Sequence, residues 1–452
     1  MPPDNVIRLC EWGRIPTPQL SIRQRQEIMA VSQEWRREHR MTHPPLSFEG
    51  TAGEILTARQ FVGVVEVAGA TIEIYPKLDK RLINSNTVTS AESRPVLRNL
   101  LWMLAQSGYE EIADTGDGSL EDKEESFTDL FALLLARRLR EELAAGVPRR
   151  YERFEDDLKA IRGRLLVGQQ ATRNLDRYDR IACAFDEFTP DTPFCRILRC
   201  ACRELRTRTG NPEAIRQLND CLTLLEDVSD ITPTQALRDA DTLTSWDRNA
   251  LRFRRTFALA VRLLRGCSHD MISGVSDTFV FLLDMNRVFE SFAAAALRRR
   301  FAVPVEEQKV LGHLFPKQTK GRIEQKPDFF WQATTDSVWI GDAKYKHLTE
   351  HQESALSFFA EEGNGDAPAG RRLSPDDVRQ LTVYAELYRK KHNSLPNLAI
   401  LYPFVGEGSF FADHAIAWND SPLYLLPVRI DSNISLQHVL PEQIHSSEKK
   451  LD

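Results

Sequence analysis

The chain has 452 residues and a mass of 51.6 kDa, enough for two to four domains at about 100 to 200 residues each. Hydrophobic residues make up 42% and charged residues 27%, which excludes a disordered or fibrous protein. A net charge of -6 excludes binding of nucleic acid through bulk positive charge, although local basic patches remain compatible with phosphate contact. No run approaches the roughly 20 apolar residues of a membrane span, and the first residues do not form a secretory signal, so we expect a cytoplasmic protein.

Residues 1–92 have the pattern of a β-rich domain. The segment RQFVGVVEVAGATIEIYPKL alternates hydrophobic residues on both sides of Ala68 and Gly69, which predicts a hairpin whose second strand is closed by Pro76. Before it, SIRQRQEIMAVSQEWRREHR predicts a charged helix.

Residues 93–268 have the pattern of an α-helical region. Apolar residues recur at helical spacing in VLRNLLWMLAQSGY, SFTDLFALLLARRLREEL, FCRILRCACRELR, AIRQLNDCLTLLEDV and LRFRRTFALAVRLLRG. Between two of these helices, EDDLKAIRGRLLVGQQ predicts a connector with a short strand.

The seven cysteines are odd in number and lack paired spacing, which indicates reduced thiols rather than a disulfide framework. Cys195, Cys200 and Cys202 cluster within one predicted helix, without a CxxC spacing or a nearby pair of histidines. Residues two apart on a helix face different ways, so we favour buried structural thiols over a metal site.

Residues 269–452 change to an α/β pattern. A helix DMNRVFESFAAAALRRRF precedes two short strands around KPDFFWQ and SVWIGDAKYK, which are followed by a helix DDVRQLTVYAELYRKKH and a strand NLAILYPF. This order predicts a central mixed sheet with helices. The segment 361–375 predicts a loop. The expected fold class is therefore multidomain α/β.

Two aspartates and a lysine mark a candidate site in this last region. If the two strands pair symmetrically about a turn near Thr335, Asp328 stands opposite Asp342, because each lies seven residues from that centre. Opposed carboxylates repel unless positive charge lies between them, and a divalent cation would supply that charge. Asp342 and Lys344 are two apart, so they share one face of their strand. Hard oxygen ligands in this pattern suit Mg²⁺, beside which a lysine can orient and help deprotonate an attacking water.

A purely structural interpretation of these three residues is available. Asp328 would then end a strand, while Asp342 and Lys344 would form an exposed pair at a sheet edge. The strand VWIGDAKYK is mostly apolar before its charges, which puts the pair at the end of a buried strand. We therefore favour the functional interpretation.

Further candidates lie on the helices that flank the two strands. Glu290 lies beside the apolar stripe of the preceding helix, where it is either a third carboxylate of the site or a solvated helix residue. On the following helix, Ser374 and Pro375 predict the first turn, and Gln380 and Tyr384 share a face. Either both contact substrate at the mouth of the site, or Tyr384 packs in the core while Gln380 is exposed.

These residues together resemble the PD-(D/E)XK nuclease core in its RecB-like QxxxY form. The matching positions are Pro327-Asp328, Asp342-Ala343-Lys344, Glu290, Gln380 and Tyr384. With GVVEVAGATIEIYPKL near the N-terminus, NRVFESF before the site and LAILYPF after it, the whole chain resembles the McrC group, the nuclease subunits of McrBC-type restriction systems that are specific for 5-methylcytosine.

The resemblance implies a role for each of these positions. Asp328 and Asp342 would hold Mg²⁺, with Glu290 as a further acidic ligand, directly or through water. Lys344 would position the hydrolytic water and stabilise the charge that develops on phosphorus. The glutamine and tyrosine of the following helix would place the DNA strand or the lysine. The last region, 269–452, would be the PD-(D/E)XK nuclease domain.

The sequence has no GxxxxGK[ST] motif, so any NTP-driven translocation belongs to a partner. The resemblance implies that this partner is a McrB-like AAA+ GTPase hexamer, engaged by residues 1–92, and that the substrate is double-stranded methylated DNA. The expected function is the Mg²⁺-dependent endonuclease subunit of a modification-dependent, type IV restriction complex, which also stimulates the GTPase. The alternatives are a non-catalytic adaptor of the GTPase and a stand-alone RecB-like repair exonuclease.

Overall fold

The structure is a computed structural model of the chain. It describes residues 5–17, 19–50, 54–67, 69–107, 126–243, 249–267, 278–313, 323–334, 337–345, 375–405, 413–416 and 420–441. The positions named above at Ala68, Thr335 and Ser374, and all but the last residue of the loop 361–375, lie outside these ranges. Within them, no helix has the length and the apolar character that crossing a bilayer requires.

The described part of the chain contains both helices and strands. The helices are α1 (Ile22–Glu38), α2 (Ser90–Gln106), α3 (Phe127–Ala144), α4 (Val167–Arg173), α5 (Pro193–Arg208), α6 (Pro212–Leu224), α7 (Pro233–Thr242), α8 (Arg254–Cys267), α9 (Met285–Phe301) and α10 (Pro375–His392). The strands are β1 (Asn5–Cys10), β2 (Arg14–Pro16), β3 (Leu46–Glu49), β4 (Ile55–Ala58), β5 (Phe61–Val67), β6 (Ala70–Tyr75), β7 (Arg150–Leu158), β8 (Arg164–Leu165), β9 (Ile181–Thr189), β10 (Phe279–Asp284), β11 (Val305–Glu307), β12 (Gly312–His313), β13 (Glu324–Gln325), β14 (Phe329–Thr334), β15 (Ser337–Ala343), β16 (Asn397–Phe404), β17 (Asp413–Ile416) and β18 (Pro422–Arg429).

The chain folds as two compact units, and each takes segments from distant parts of the sequence. The first takes its described residues from Val64–Thr71 and Lys123–Phe281, and the second from Asn5–Gly63, Ile72–Asp122 and Leu282–Asp452. The division into three domains in chain order stays a prediction.

The hairpin and the first helix predicted near the N-terminus are confirmed. β5 and β6 are neighbours in a sheet of order β1-β6-β5-β10, and β6 ends at Tyr75, directly before Pro76. Gly69 between them has a φ of +77°, a conformation that favours glycine. α1 begins after Ser21, whose hydroxyl accepts a hydrogen bond of 3.2 Å from the backbone N–H of Gln24 in a capping box.

Part of the region predicted to be helical is instead a three-stranded antiparallel sheet of order β7-β9-β8. β8 fits the short strand that we expected in the connector, but β7 and β9 were not predicted. They pair over nine residues, from Arg150 with Thr189 to Leu158 with Ile181. β7 escaped prediction because its sequence, RYERFEDDL, is mostly charged and mostly exposed, so it has no buried face to produce a hydrophobic period.

The clustered cysteines are buried, as predicted. Cys195, Cys200 and Cys202 all lie on α5 and point into the apolar packing of the first unit. Burial raises the pKa of Cys195 to about 11 and that of Cys200 to about 12, so both are thiols at neutral pH.

The second unit contains the mixed sheet predicted for the last third of the chain. Its order is β11-β14-β15-β16-β18-β17, with β15, β16 and β18 parallel to one another and the other pairs antiparallel. One face packs against α10, where Ile340 and Ile400 of the sheet share a core with Leu381. On the other face, Trp331 and Trp339 stack at 5.4 Å beneath α9. Helices on both faces bury the strands that carry the candidate site.

Candidate active site

β14 and β15 pair in the register that the symmetric turn predicted. Phe329 lies opposite Gly341 and Phe330 opposite Ile340, which brings Asp328, one residue before β14, to the level of Asp342. A carboxylate oxygen of Asp328, Oδ2, accepts a hydrogen bond of 2.8 Å from the backbone N–H of Ala343. The side chain of Asp328 therefore reaches across to the strand that carries Asp342.

Glycine at position 341 allows these strands to lie close to their neighbours. A Cβ there would stand 3.0 Å from Cζ3 of Trp331 and 3.3 Å from Cδ1 of Leu401. With a larger residue, the side chains of Trp331 and Leu401 would have to move by a few tenths of an ångström.

Lys344 is held between two acidic residues. Its ammonium group forms an ion pair with Asp342, which is 1% exposed, and lies 3.6 Å from a carboxylate oxygen of Asp377 on α10. Its backbone N–H donates a hydrogen bond of 2.8 Å to the carbonyl of Leu401 on β16. Asp377 was not predicted as a site residue, because an acidic residue in a first helical turn is ordinary helix chemistry.

The electrostatics of this pair of strands are those of crowded acids. Burial raises the pKa of Asp342 to about 7, the nearby charge of Asp328 adds to the rise, and Lys344 opposes it. Burial also raises the pKa of Asp328, although its hydrogen bond from Ala343 partly offsets the effect. Burial disfavours the charge on Lys344, but Asp342 and Asp377 outweigh it and raise the lysine pKa. The site therefore favours bound positive charge.

Glu290 reaches the same place from α9. It is half-buried, burial raises its pKa, and the charge of Asp342 contributes to that rise. The amide nitrogen of Gln308 donates hydrogen bonds of 3.0 Å to Oε1 of Glu290 and 3.0 Å to Oδ1 of Asp328. Gln308 was missed, since nothing in the pattern of the short strand β11 indicates that the residue after it turns towards two carboxylates.

Gln380 and Tyr384 share a face of α10, as their spacing predicted. The hydroxyl of Tyr384 accepts a hydrogen bond of 2.6 Å from Gln380 and donates one of 3.0 Å to the carbonyl of Lys326, two residues before Asp328. Tyr384 is 3% exposed and belongs to the core, while Gln380 is exposed. This placement is the core-packing alternative, and it also ties the tyrosine to the segment that carries Asp328.

The donor set is chemically suited to a hard divalent cation. Asp328, Asp342 and Asp377 supply carboxylates near Lys344, and Gln308 joins Glu290 to Asp328, so negative charge is in excess at a largely buried place. Among the residues that the structure describes, no three His, Cys, Asp or Glu side chains stand together in a ready-made metal site. The amide of Gln308 and the ammonium of Lys344 lie against these carboxylates instead, and both are groups that a cation can replace or reorient.

A comparison with protein families shows where the chain belongs. The family model described as "McrBC 5-methylcytosine restriction system component" matches residues 56–403. The chain therefore belongs to the McrBC family of 5-methylcytosine restriction system components. No curated protein matches the chain.

Two solved structures resemble the whole chain or most of it. One is described as the "refined half-complex from tetradecameric assembly of Thermococcus gammatolerans McrB AAA+ hexamers with bound McrC"; it is 18% identical, with a TM-score of 0.68 over 95% of this chain and 96% of that one. The other is described as the cryo-EM structure of the Thermococcus gammatolerans McrBC complex; it is 18% identical, with a TM-score of 0.49 over 67% of this chain and 90% of that one. The first likeness shows that the two chains share a fold along nearly their full length.

Proposed function

We propose that this chain is the Mg²⁺-dependent nuclease subunit of a modification-dependent, type IV restriction complex and hydrolyses phosphodiesters of double-stranded methylated DNA. The observation that carries the proposal is the convergence of Asp328, Asp342 and Lys344 at the ends of two paired strands, with Glu290 beside them. Membership of the McrBC family supports the biological setting. The acids with raised pKa support a site built for a cation rather than for packing.

Each side chain has a definite task in this proposal. Asp328 and Asp342 would hold Mg²⁺, with Glu290 as a further ligand, and the ion supplies charge neutralisation at the scissile phosphate. Lys344, steered by Asp342 and Asp377, orients the attacking water and stabilises negative charge on the phosphate oxygens.

The two residues of α10 act at different depths. The exposed side chain of Gln380 places the DNA strand over the carboxylates, while its amide nitrogen donates to the hydroxyl of Tyr384. The buried Tyr384 holds the segment that enters β14 through its bond to Lys326 and so fixes the position of Asp328. Pre-organised ligands of this kind lower the cost of reaching the transition state.

The proposed partner is a McrB-like AAA+ GTPase hexamer, whose GTP hydrolysis the chain stimulates. The related assembly is described as McrB AAA+ hexamers with bound McrC. Within the first unit, the sheet of β7, β8 and β9 exposes large apolar side chains, among them Tyr151 at 73% and Phe188 at 51%, with ring centroids 5.1 Å apart. Exposed groups of this kind mark protein interaction surfaces, so this sheet is a stronger candidate for the partner surface than residues 1–92.

Reconstitution tests the proposed activity. The purified chain is mixed with its cognate AAA+ GTPase, methylated double-stranded DNA and GTP, and strand scission is followed with Mg²⁺, with Ca²⁺ and with EDTA. We expect scission with Mg²⁺ and none with EDTA, because the carboxylates alone cannot neutralise the phosphate. Scission at an equal rate in EDTA, or none under any condition, would reject the proposed chemistry.

A further inference from the structure

A buried glutamate from the N-terminal segment contacts the residue next to the lysine of the candidate site. Glu11 follows β1 and is 1% exposed. Its Oε1 accepts a hydrogen bond of 2.6 Å from the hydroxyl of Tyr345 and another of 2.8 Å from the backbone N–H of Lys77. All three residues belong to the second compact unit. Tyr345 directly follows Lys344, although 334 positions separate it from Glu11.

Burying the carboxylate of Glu11 costs free energy that an apolar side chain at this position would not cost. The second oxygen of Glu11, Oε2, is buried and accepts no hydrogen bond from the described residues. Burial raises the pKa of Glu11 to about 7, against the lowering effect of Tyr345 and Lys77. A buried carboxyl group with an unsatisfied oxygen destabilises a fold, and an apolar side chain at the same position would avoid that cost.

Tyr345 is fixed at both of its ends. Its hydroxyl is bound to Glu11, and its ring packs against Phe289 of α9 with centroids 5.7 Å apart. Phe289 is the neighbour of Glu290, and the backbone of Lys344 is tied to Leu401 on the other side. The tyrosine therefore limits where the chain runs as it leaves β15, and so where the ammonium group of Lys344 points.

We propose that Glu11 is a positioning residue for Lys344, acting through the hydroxyl of Tyr345. This inference rests on the proposed nuclease function and adds a residue to it that lies outside the matching nuclease motif. Glu11 touches neither DNA nor the cation. It holds the residue next to Lys344, and a displacement of about 1 Å in such a group costs up to about a hundredfold in rate.

The test compares two tyrosine–glutamate hydrogen bonds of the same unit, each to a buried glutamate. Tyr345→Phe removes the bond to Glu11, and the control Tyr75→Phe removes a bond of 2.9 Å from Tyr75 to the buried Glu73. Both changes remove one hydroxyl and its hydrogen bond to a glutamate and keep the ring. We expect Tyr345→Phe to lower the single-turnover cleavage rate about tenfold at saturating DNA with unchanged DNA affinity, and Tyr75→Phe to leave the rate unchanged.

Two substitutions at Glu11 complete the cycle. Glu11→Gln keeps an acceptor oxygen for Tyr345 and should cleave within about twofold of the wild type, whereas Glu11→Leu should match Tyr345→Phe. The double variant Glu11→Leu with Tyr345→Phe should be no slower than either single variant, because the two residues act as one unit. Wild-type cleavage by Tyr345→Phe, or an equal loss in Tyr75→Phe, would overturn the proposal.

A readout that needs no catalysis separates this inference from the nuclease function. The amide of Lys344, bonded to Leu401, should exchange its hydrogen at least about tenfold faster in Tyr345→Phe and in Glu11→Leu than in the wild type, and unchanged in Tyr75→Phe. If the wild type cleaves no DNA yet this exchange pattern holds, the nuclease function fails and the positioning contact stands. Unchanged exchange in all variants overturns the positioning contact whatever the activity.

Discussion

Gln308 holds Asp328 by two bonds. Its backbone N–H donates to the carbonyl of Asp328 at 3.2 Å, and its side-chain amide donates to the carboxylate of Asp328 at 3.0 Å. The same amide group reaches Glu290, so a polar N–H group lies between two carboxylates that would otherwise repel each other. A cation between these two carboxylates would also reduce their repulsion, and it would do so with a full positive charge.

The stability cost of Gln308→Ala should therefore depend on magnesium. Without the ion, the loss of the amide leaves Glu290 and Asp328 unbridged and should lower the free energy of unfolding by about 1 kcal/mol. With Mg²⁺ bound by the acids, most of that loss should disappear. Thermal unfolding with and without Mg²⁺ measures the difference.

The matched control is Gln235→Ala. Gln235 donates a hydrogen bond of 2.7 Å to Asp239 on the exposed side of α7. Both residues belong to the first unit, whereas the acidic residues of the candidate site belong to the second. Gln235→Ala should lower the free energy of unfolding by the same small amount with and without Mg²⁺. Two results would contradict a cation site between the acids. In one, the loss of unfolding free energy changes with magnesium by the same amount in both variants; in the other, it does not change at all in Gln308→Ala.

The raised pKa of Asp342 predicts how stability changes with pH. The unfolded chain titrates this group near its ordinary value of 3.8 and the folded protein near 7, so in between the folded state binds the proton more tightly. The stability that this group contributes is then lost as pH rises from about 4 to about 7, and the group has no further effect on stability above that pH. Asp342→Asn removes this titration.

The unfolding free energy of Asp342→Asn, relative to the wild type, should thus increase by on the order of 3 kcal/mol between about pH 4 and about pH 8 in EDTA. Urea unfolding at both pH values measures it. Saturating Mg²⁺ should remove most of the pH dependence of the wild type, because the ion replaces the proton on the carboxylate. An equal difference at both pH values would show that folding does not raise the pKa of Asp342.

Tyr384 and Gln380 should separate stability from substrate binding. Tyr384→Phe removes the donor to the carbonyl of Lys326 and should cost about 1 kcal/mol of stability. Gln380→Ala lies at an exposed position and should leave stability within about 0.5 kcal/mol of the wild type while weakening DNA binding. Urea unfolding and DNA titration with each variant give the two numbers. Normal DNA affinity in Gln380→Ala would show that Gln380 does not bind DNA and only forms its hydrogen bond with Tyr384.

The exposed sheet of the first unit should bind the GTPase. Replacing Tyr151 and Phe188 by Ala removes two exposed rings that contact each other, so stability should change by less than about 1 kcal/mol. Binding to the GTPase, measured by co-sedimentation, should fall at least about tenfold, because such rings dominate interfaces. Ile22→Ala, at an exposed apolar residue that begins α1, is the control and should bind normally. Unimpaired binding of the double variant would place the partner surface elsewhere.

The sequence was informative where burial imposes a period. The mixed sheet of the second unit and the register that brings Asp328 level with Asp342 followed from alternation and from counting outward from a turn. α5 followed from its apolar spacing, and α1 was predicted as a charged helix. β7 could not be found in this way because it is mostly exposed and charged, and β9 could not because its four buried residues, 182–185, are consecutive and do not alternate.

Contacts between segments that are distant in the chain could not be predicted from the sequence either. Gln308 meets Asp328 through a backbone turn with a φ of +51°, and no residue pattern indicates that geometry. Asp377 reaches Lys344 because α10 packs across the end of β15, and Glu11 reaches Tyr345 across most of the chain. Such pairs depend on how elements pack in three dimensions, whereas spacing reports only on single elements.

Loss of cleavage with retained GTPase stimulation is the most direct test of the proposed nuclease subunit. Asp342→Ala and Lys344→Ala are each combined with the AAA+ GTPase, GTP, Mg²⁺ and methylated DNA, and GTP hydrolysis is measured beside strand scission. We expect GTP hydrolysis at the wild-type rate and cleavage reduced at least about a hundredfold in both variants, because only the chemical step is lost. Cleavage at the wild-type rate in either variant would contradict the proposed nuclease function and would favour a non-catalytic adaptor.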